Sequence, residues 1–391
     1  MTNVTSTVTL AQNQKIAVGD GIDQGNVTWE ITPRYYNLEI DQSDKIGISF
    51  GGRVEVTNIN CMQVEEMPLG EFPDSILAKN SGGKAIRARA LPNYNNTATS
   101  HEGMFAIPDD YGTSYFFRGA VDNNWVKFAG YYWRIIRING DGSVRMIYTG
   151  STAPTSGEAV VMTGSHTQVG TSAFSPATQP YEMAGYTREV GVFRGHAEES
   201  IIKVYLEDWY EDNLLEYDDY ITDSIFCSDR RATSNKSDPI RYEVEPIGMP
   251  TRIFTSWFSF PDARMHTTIE PLTLACFHKE DAYTKYDNVL GNTQLNHKVG
   301  LIGADEAKIS GLKYQSNNTS HYLHTGSEYW FLTISYAGAT LKVTNNHVMR
   351  STGQMYYTDI VAASGVRPVI SVRTEVILSG IGTWNDPYIV E

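Results

Sequence analysis

A run of alternating residues at positions 113–148 constrains the fold of this chain more than any other feature. Aromatic and β-branched side chains recur there at every second position, which is typical of β-strands. We predict one strand at 115–118 and a second at 125–137 that bends at Gly130. The sequence NGDG at 139–142 favours a tight turn into a third strand, because Asn, Asp and Gly tolerate positive φ. The run therefore predicts a three-stranded meander.

The length and composition indicate a large, β-rich protein. A chain of 391 residues exceeds one ordinary core, so we expect two domains or one elaborated domain. Charged residues make up only 19% and tyrosines number 24, a composition more typical of extracellular or virion proteins than of cytosolic enzymes. The net charge of −14 disfavours nucleic acid and anionic membranes as partners.

The sequence also bears on how the protein leaves the cell. No apolar run approaches the roughly 18–20 residues that span a bilayer, so we expect no membrane insertion. The first residues, MTNVTSTVTLAQNQ, have neither the basic nor the apolar region of a signal peptide. We expect either that a leader has been removed or that the protein leaves by another route, such as on a phage particle released by lysis.

Two domains are predicted, with a boundary near residue 66. Residues 1–66 contain short β-like runs separated by Gly, Asp and Pro, which predicts a small β-sandwich or barrel that serves as an anchoring or assembly domain. Its loop GDGIDQG at 19–25 has two interpretations, a calcium site or an ordinary turn. No other cofactor is expected. Residues 67–391 form the second domain.

A few helices interrupt the strands of this second domain. Helical spacing occurs at 72–80, at 198–210 and at 305–309. In the middle segment, acidic Glu198 and Glu199 are placed at the helix start. The apolar stripe of this helix is predicted to comprise Ile201, Ile202, Tyr205, Leu206 and Trp209. Residues 329–372 again have the pattern of short strands. The fold class predicted is mainly β with a few helices (α+β).

Several motifs resemble those of a known family. Residues 103–148, GMFAIPDDYGTSYFFRGAVDNNWVKFAGYYWRIIRINGDGSVRMIY, resemble the core of poorly characterised surface, prepilin-like and phage-encoded proteins of gut Firmicutes. Similar motifs follow in the same order, namely VGLIGADEA at 299–307, YWFLTIS at 329–335, SGVRPVISV at 364–372 and GTWNDPYIV at 382–390. The resemblance covers about residues 68–391.

The C-terminal pattern also resembles the end of C-type-lectin-like domains, in which the last strand pairs back near the first. Members include adhesins, phage receptor-binding proteins and formylglycine-generating enzymes. The resemblance implies a large C-type-lectin-like domain that displays and binds more often than it catalyses. It provides no catalytic residues that can be transferred to this chain.

The resemblance also implies a disulfide. The chain has three cysteines, Cys61, Cys227 and Cys276. The similar proteins have cysteines at the positions of Cys227 and Cys276, which favours a bridge between them if the protein matures outside the cytosol. The alternative is a pair of buried free thiols. Cys61 is interpreted as a small buried apolar residue.

Other candidate sites have structural alternatives. His321 and His324 have a spacing compatible with zinc, but a further ligand cannot be placed, so we favour a polar loop preceding a strand and predict no metal site. The acidic pairs 109–110 and 218–219 are of the type that a glycosidase uses across a cleft, whereas adjacent acids usually cap or solvate. The sequence contains no phosphate loop, dinucleotide fingerprint or nucleophile elbow.

Adjacent aromatic residues are the main binding candidates. On a strand, neighbouring side chains face opposite sides, so one member of each pair points away from its own core. Either a second core covers these rings, or they form a surface that stacks on sugars or a protein partner. Tyr131 and Tyr132 form one such pair. The predicted binding residues are Trp257, Phe258, Tyr329, Trp330, Tyr356 and Tyr357.

These observations lead to three functional hypotheses. The first is a non-enzymatic virion protein, such as a decoration, fibre or receptor-binding protein, that contacts host-surface glycan or protein. Residues 1–66 would then attach it to other virion subunits, and we expect a homo-oligomer at the virion surface. The second is an adhesin of the bacterial surface or a pilus. The third, an enzyme acting on surface glycans, requires two opposed carboxylates.

Overall fold

Strands dominate the part of the chain that the structure describes. The computed structural model describes residues 71–82, 85–175, 186–188, 194–235, 243–244, 257–266, 272–338, 343–373 and 378–390. All of these belong to the unit Pro68–Glu391. The predicted β-domain at 1–66, with its loop at 19–25 and Cys61, lies outside the described residues. The prediction of a mainly β chain with a few helices is confirmed.

Helices and short strands alternate through the described residues. The helices are α1 (Glu71–Asn80), α2 (Ile201–Leu214), α3 (Phe260–His266) and α4 (Ala304–Ile309). The first strands are β1 (His101–Pro108), β2 (Thr113–Gly119), β3 (Trp125–Phe128), β4 (Tyr131–Ile138), β5 (Val144–Gly150), β6 (Gly170–Ala173), β7 (Thr187–Arg188), β8 (Glu198–Glu199), β9 (Phe226–Cys227) and β10 (Ala232–Thr233). The later strands are β11 (Glu243–Val244), β12 (Trp257–Ser259), β13 (Ala282–Tyr283), β14 (Tyr329–Gly338), β15 (Val343–Met349), β16 (Met355–Asp359), β17 (Ala363–Val366), β18 (Val369–Val372), β19 (Leu378–Ser379) and β20 (Tyr388–Val390).

The run at 113–148 forms four strands of the first sheet rather than three. The predicted bend at Gly130 is a hairpin turn, with φ of +52° at Ala129 and +79° at Gly130. The chain reverses there, so that Phe128 pairs with Tyr131. A two-residue hairpin of this kind needs positive φ at both positions, and Ala-Gly is a weaker signal for it than Asn-Gly. The turn predicted at 139–142 is confirmed, since Asn139 N donates to Ser143 O at 2.8 Å.

The first sheet also receives the C-terminal end of the chain. Its main path is β1-β2-β4-β3-β20-β19, and β5 lies between β4 and β18. Strand β20 runs parallel to β3, with Tyr388 opposite Val126. Strand β18 pairs antiparallel with β5. Residues more than two hundred positions apart in the sequence therefore share one sheet.

The second sheet is built on β14 and carries the candidate site. Its path is β11-β10-β12-β14-β15-β16, and β17 joins β14 to β6. Residues 329–335 are all buried, which means that both faces of this part of β14 are covered. At the other end of the path, β16 is the outermost of the described strands.

Helix α2 begins later and buries a different face than the sequence predicts. Ser200 is its N-cap and accepts a hydrogen bond from Lys203 N at 3.3 Å. Glu198 and Glu199 precede the helix in β8, so their placement in its first turn is wrong. The buried apolar residues of the helix are Ile202, Leu206, Tyr210 and Leu214. Ile201 is 41% exposed, because the face against the sheets is rotated from the predicted stripe.

A buried ion network connects α4 with the first sheet. Glu306 Oε1 lies 2.9 Å from Arg137 Nε and 2.7 Å from Arg145 Nε. Arg137 also contacts Asp109 Oδ2 at 2.8 Å. Burial raises the pKa of Glu306, but the guanidinium groups of Arg145 and Arg137 outweigh it and lower the pKa below its usual value. The network therefore holds a charged carboxylate inside the protein.

Candidate functional site

Three tyrosines meet at the outer strand of the second sheet. Tyr356 and Tyr357 belong to β16, and Tyr314 is brought beside this strand by a parallel bridge to Met355. All three side chains are half-buried, so each keeps part of its ring in solvent. We call Tyr314, Tyr356 and Tyr357 the tyrosine surface.

The three rings have nearly parallel planes. The centroids of Tyr356 and Tyr357 are 4.6 Å apart, with an angle of 14° between the planes. Tyr314 lies 5.6 Å from Tyr356 at 7° and 6.3 Å from Tyr357 at 17°. Such spacings fall in the range of favourable ring-ring contacts. The arrangement therefore combines a large apolar area with three hydroxyl groups.

Arg350 lies next to the tyrosine surface and contacts the ring of Tyr356. The guanidinium carbon of Arg350 lies 4.7 Å from the Tyr356 ring centroid. Arg350 Nη2 donates to the carbonyl oxygen of Tyr357 at 3.0 Å, and its Nε lies 3.0 Å from Glu328 Oε2. These contacts hold the cation against the ring, where the ring quadrupole attracts it. The position of Tyr356 is thereby set before any ligand arrives.

A buried acid, Asp262, and two histidines lie next to the tyrosine surface. The His266 ring is 4.2 Å from that of Tyr314, in an edge-on arrangement. Asp262 Oδ2 is 3.7 Å from His266 Nε2, and Asp262 Oδ1 is 3.6 Å from His347 Nε2. Ser335 Oγ donates to Asp262 Oδ1 at 2.6 Å. His347 is opposite Tyr357 in the strand pairing, which places Asp262 and both histidines close to the tyrosine surface.

Burial and neighbouring groups keep the hydroxyls of Tyr314 and Tyr357 protonated. Burial, then the neighbouring Tyr357 and Asp262, raise the pKa of Tyr314 above its usual value. Burial and the hydroxyl of Tyr356 likewise raise the pKa of Tyr357. Protonated phenols both donate and accept hydrogen bonds. The surface is thus suited to bind a neutral polar ligand through ring contacts and hydroxyl hydrogen bonds.

Two of the six predicted binding residues are core residues. Tyr329 and Trp330 are both 0% exposed, so their prediction as surface binding residues is wrong. Tyr329 Oη donates to Leu323 O at 2.9 Å, and Trp330 Nε1 donates to Ser172 O at 2.8 Å. Alternation along a strand predicts exposure only when one face of the sheet meets solvent, and β14 is covered on both faces.

The structure does not bring the remaining candidates into one site. Phe258 on β12 is half-buried and lies 5.1 Å from the Tyr336 ring, whereas the side chain of Trp257 lies outside the described part. Tyr131 packs on Trp209 at 5.8 Å, and its hydroxyl donates to Asn213 Oδ1 at 2.6 Å. The predicted residues that meet are therefore Tyr356 and Tyr357.

The two cysteines named by the family resemblance are joined. Cys227 and Cys276 form a disulfide with a Cα–Cα distance of 5.5 Å across a sequence separation of 49. Asp110 Oδ2 accepts the N–H of Cys276 at 2.8 Å. The bridge ties β9 to the segment after residue 271, next to the buried ion network.

The zinc interpretation of the two neighbouring histidines is wrong. His321 is completely buried, and its Nε2 donates to Ser310 O at 2.7 Å while its Nδ1 accepts from Leu323 N at 3.1 Å. Both ring nitrogens are thus engaged by the backbone. Burial lowers the pKa of His321 to about 3, so the ring is neutral at physiological pH. Among the described residues, no group of three or more His, Cys, Asp or Glu side chains is arranged to hold a metal ion.

The two acidic pairs have structural contacts. Asp109 pairs with Arg137, and it also accepts the backbone N–H of Gly140 at 2.9 Å. Asp218 Oδ2 lies 2.8 Å from Lys298 Nζ, and its Oδ1 accepts from Tyr210 Oη at 2.7 Å. These two carboxylates are held by ion pairs and hydrogen bonds within the fold.

In comparisons with known proteins, no family model, no curated protein and no solved structure matches this chain. None of the described helices is long and apolar enough to cross a bilayer. The functional interpretation therefore depends on the geometry of the site. Tyr314 is the residue that sequence reasoning missed, because it stands alone in the sequence and joins the surface only through its bridge to Met355.

Proposed function

We propose that this protein is a non-enzymatic binding protein displayed outside the cell on a phage virion, and that its tyrosine surface contacts a glycan. The observation that carries the proposal is the group of three nearly parallel, half-exposed tyrosine rings. Tyrosine offers a large rigid contact area at low cost in conformational entropy, and it is enriched at binding hot spots. Neutral hydroxyls next to flat rings suit the polar edges and apolar faces of sugars.

The location outside the cell is supported by the disulfide. Bridges such as Cys227–Cys276 persist in oxidising surroundings and are rare in the cytosol. The net charge of −14 disfavours nucleic acid and anionic lipid as partners. A bacterial surface or pilus adhesin is the alternative, and the bridge supports it equally.

We further propose that residues 67–391 form a C-type-lectin-like domain. The return of β20 to pair with β3 supports this, since the resemblance implies a last strand that pairs back near the first. In this proposal residues 1–66 attach the protein to other virion subunits, and the assembled protein is a homo-oligomer.

Two measurements test the proposal. Mass spectrometry and immunogold labelling of purified phage particles and of producing cells should find the protein on particles at many copies. Signal restricted to cell envelopes would replace the virion with the adhesin. The purified chain should bind members of a glycan array, and the double variant Tyr356→Ala/Tyr357→Ala should bind them more weakly because it lacks the tyrosine surface.

The matched control is Tyr132→Ala, which removes a half-buried tyrosine from the other sheet. Loss of a central anchoring ring costs about 2 kcal/mol, which weakens the Kd roughly thirtyfold. The control should keep the affinity of the original chain. Equal binding by the double variant and the control would refute the glycan contact at the tyrosine surface.

A further inference from the structure

A second surface holds an exposed tyrosine beside an open cavity. Tyr286 lies in the loop at 284–294, and its side chain is 63% exposed. Val289 and Leu290 of the same loop are also exposed, at 78% and 40%, and clustered exposed apolar side chains often mark an interaction site. The loop shares no residue with the tyrosine surface, so it needs an explanation of its own.

The backbone of this loop is rigidly held. The carboxylate of Asp223 accepts the N–H groups of Lys285 at 2.8 Å, Tyr286 at 2.7 Å and Asp287 at 2.9 Å. Asp287 Oδ1 in turn accepts Val289 N at 2.8 Å. Three hydrogen bonds to one carboxylate hold the backbone of the loop at Tyr286. A loop backbone fixed in advance loses little entropy when a ligand binds.

The cavity beside the ring is large enough for a small molecule. Its volume is about 450 Å³, within the range of about 300–1,000 Å³ that is usual for ligand sites. Besides Tyr286, its walls include the polar side chains Asp141, Ser143, Thr222 and Arg373. Such a lining favours a ligand rich in hydroxyl groups over an apolar cofactor, which would leave these groups unpaired.

The charges at the cavity are balanced. Lys298 Nζ is bound by Asp218 Oδ2 and by the carbonyl oxygen of Ile221 at 2.9 Å, so the fold already neutralises it. The Asp223 carboxylate is occupied by the loop amides. The negatively charged Asp141 and the positively charged Arg373 are both exposed at the cavity. With two acidic and two basic side chains in its lining, the cavity has no net charge that would attract an anionic ligand in preference to a neutral one.

We propose that this cavity binds a neutral saccharide, with the Tyr286 ring as its stacking face and Asp141 and Arg373 as partners for its hydroxyl groups. Carboxylate and guanidinium groups both form strong, directional hydrogen bonds to such hydroxyls. The proposal goes beyond the proposed function, because it assigns a second saccharide site with its own residues.

The test compares full-length variants by saturation-transfer NMR and calorimetry. The probes are neutral oligosaccharides of N-acetylglucosamine and of galactose, with oligogalacturonate as the anionic comparison. In the background Tyr356→Ala/Tyr357→Ala, which removes the tyrosine surface, Tyr286→Ala should weaken binding of a neutral probe at least tenfold. Val289→Ala, in the same loop and 78% exposed, is the matched control and should stay within twofold. Circular dichroism should show both variants folded, since neither side chain is in the core.

The double variant Tyr356→Ala/Tyr357→Ala distinguishes the two proposed saccharide sites, because it removes two rings of the tyrosine surface and leaves Tyr286 unchanged. The proposal predicts that this variant still binds a neutral probe through the second site. Adding Tyr286→Ala to it should abolish the remaining binding. Absence of residual binding would overturn the second site and leave the tyrosine surface standing. Unchanged binding when Tyr286→Ala is added to this variant, binding of oligogalacturonate alone, or binding of no probe would also overturn it.

Discussion

Tyr356 and Tyr357 are neighbours on one β-strand, yet their ring centroids lie only 4.6 Å apart with nearly parallel planes. Successive side chains of a strand point to opposite faces, so an interior strand would separate such rings by the thickness of the sheet. Strand β16 is the outermost described strand of its path, and there both rings can turn toward the same edge. The outer position of β16 therefore allows Tyr356 and Tyr357, which are adjacent in sequence, to belong to one surface.

The buried carboxylate of α4 should be essential for stability. Glu306→Gln removes the charge that Arg137 and Arg145 share, and it leaves two buried guanidinium groups with less compensation. Breaking a buried ion pair in this way typically costs about 3–5 kcal/mol. Urea denaturation should show this loss. Glu216→Gln, at an exposed position, should change the free energy of unfolding by less than about 0.5 kcal/mol. A similar small effect at Glu306 would show that the network contributes little.

The disulfide should stabilise the folded protein by reducing the conformational entropy of the unfolded chain. The bridge closes a loop with a sequence separation of 49, which in the chain-entropy model corresponds to about 4 kcal/mol at 25 °C. The variant Cys227→Ser/Cys276→Ser should be destabilised by an amount of this order in denaturant titrations. Reduction of the original chain with dithiothreitol should give a similar loss. If neither treatment changes the midpoint, the bridge does not form in the protein.

Acid should destabilise the fold through His321. Its pKa is lowered from 6.5 to about 3 by burial, so the unfolded chain takes up a proton before the folded protein does. The stabilising contribution of the neutral ring is complete above pH 6.5 and decreases as the pH falls toward 3. At pH 5 the loss amounts to about 2 kcal/mol. His321→Gln should reduce the difference in unfolding free energy between pH 7.5 and pH 5 by this amount. An unchanged difference would contradict the assignment.

Strands and helices whose residue pattern lies within one short segment can be predicted from the sequence. Alternation and the turn residues at 139–142 predict β2, β5 and the run that divides into β3 and β4, and helix α1 matches the helical spacing at 72–80. The same pattern could not show that Ala129 adopts positive φ, because only the pairing of β3 with β4 requires it. Nor could it show which face of α2 is buried, since that depends on the sheets it packs against.

The candidate site depends on contacts between distant residues. Tyr356 and Tyr357 were identified as an adjacent aromatic pair, whereas Tyr329 and Trp330 carry the same signal and lie in the core. The difference arises from topology, since β14 is covered on both faces and β16 is outermost among the described strands. Tyr314 has no aromatic neighbour in sequence. Its role follows only from its bridge to Met355.

The most direct test of this account is the affinity of Tyr314→Ala, because only the structure places this residue with Tyr356 and Tyr357. Calorimetric titration of the best glycan from the array should compare it with Tyr357→Ala and with the control Tyr132→Ala. We expect Tyr314→Ala and Tyr357→Ala each to weaken the Kd roughly thirtyfold, while Tyr132→Ala leaves it unchanged. Full affinity in Tyr314→Ala would contradict a binding surface formed by the three rings.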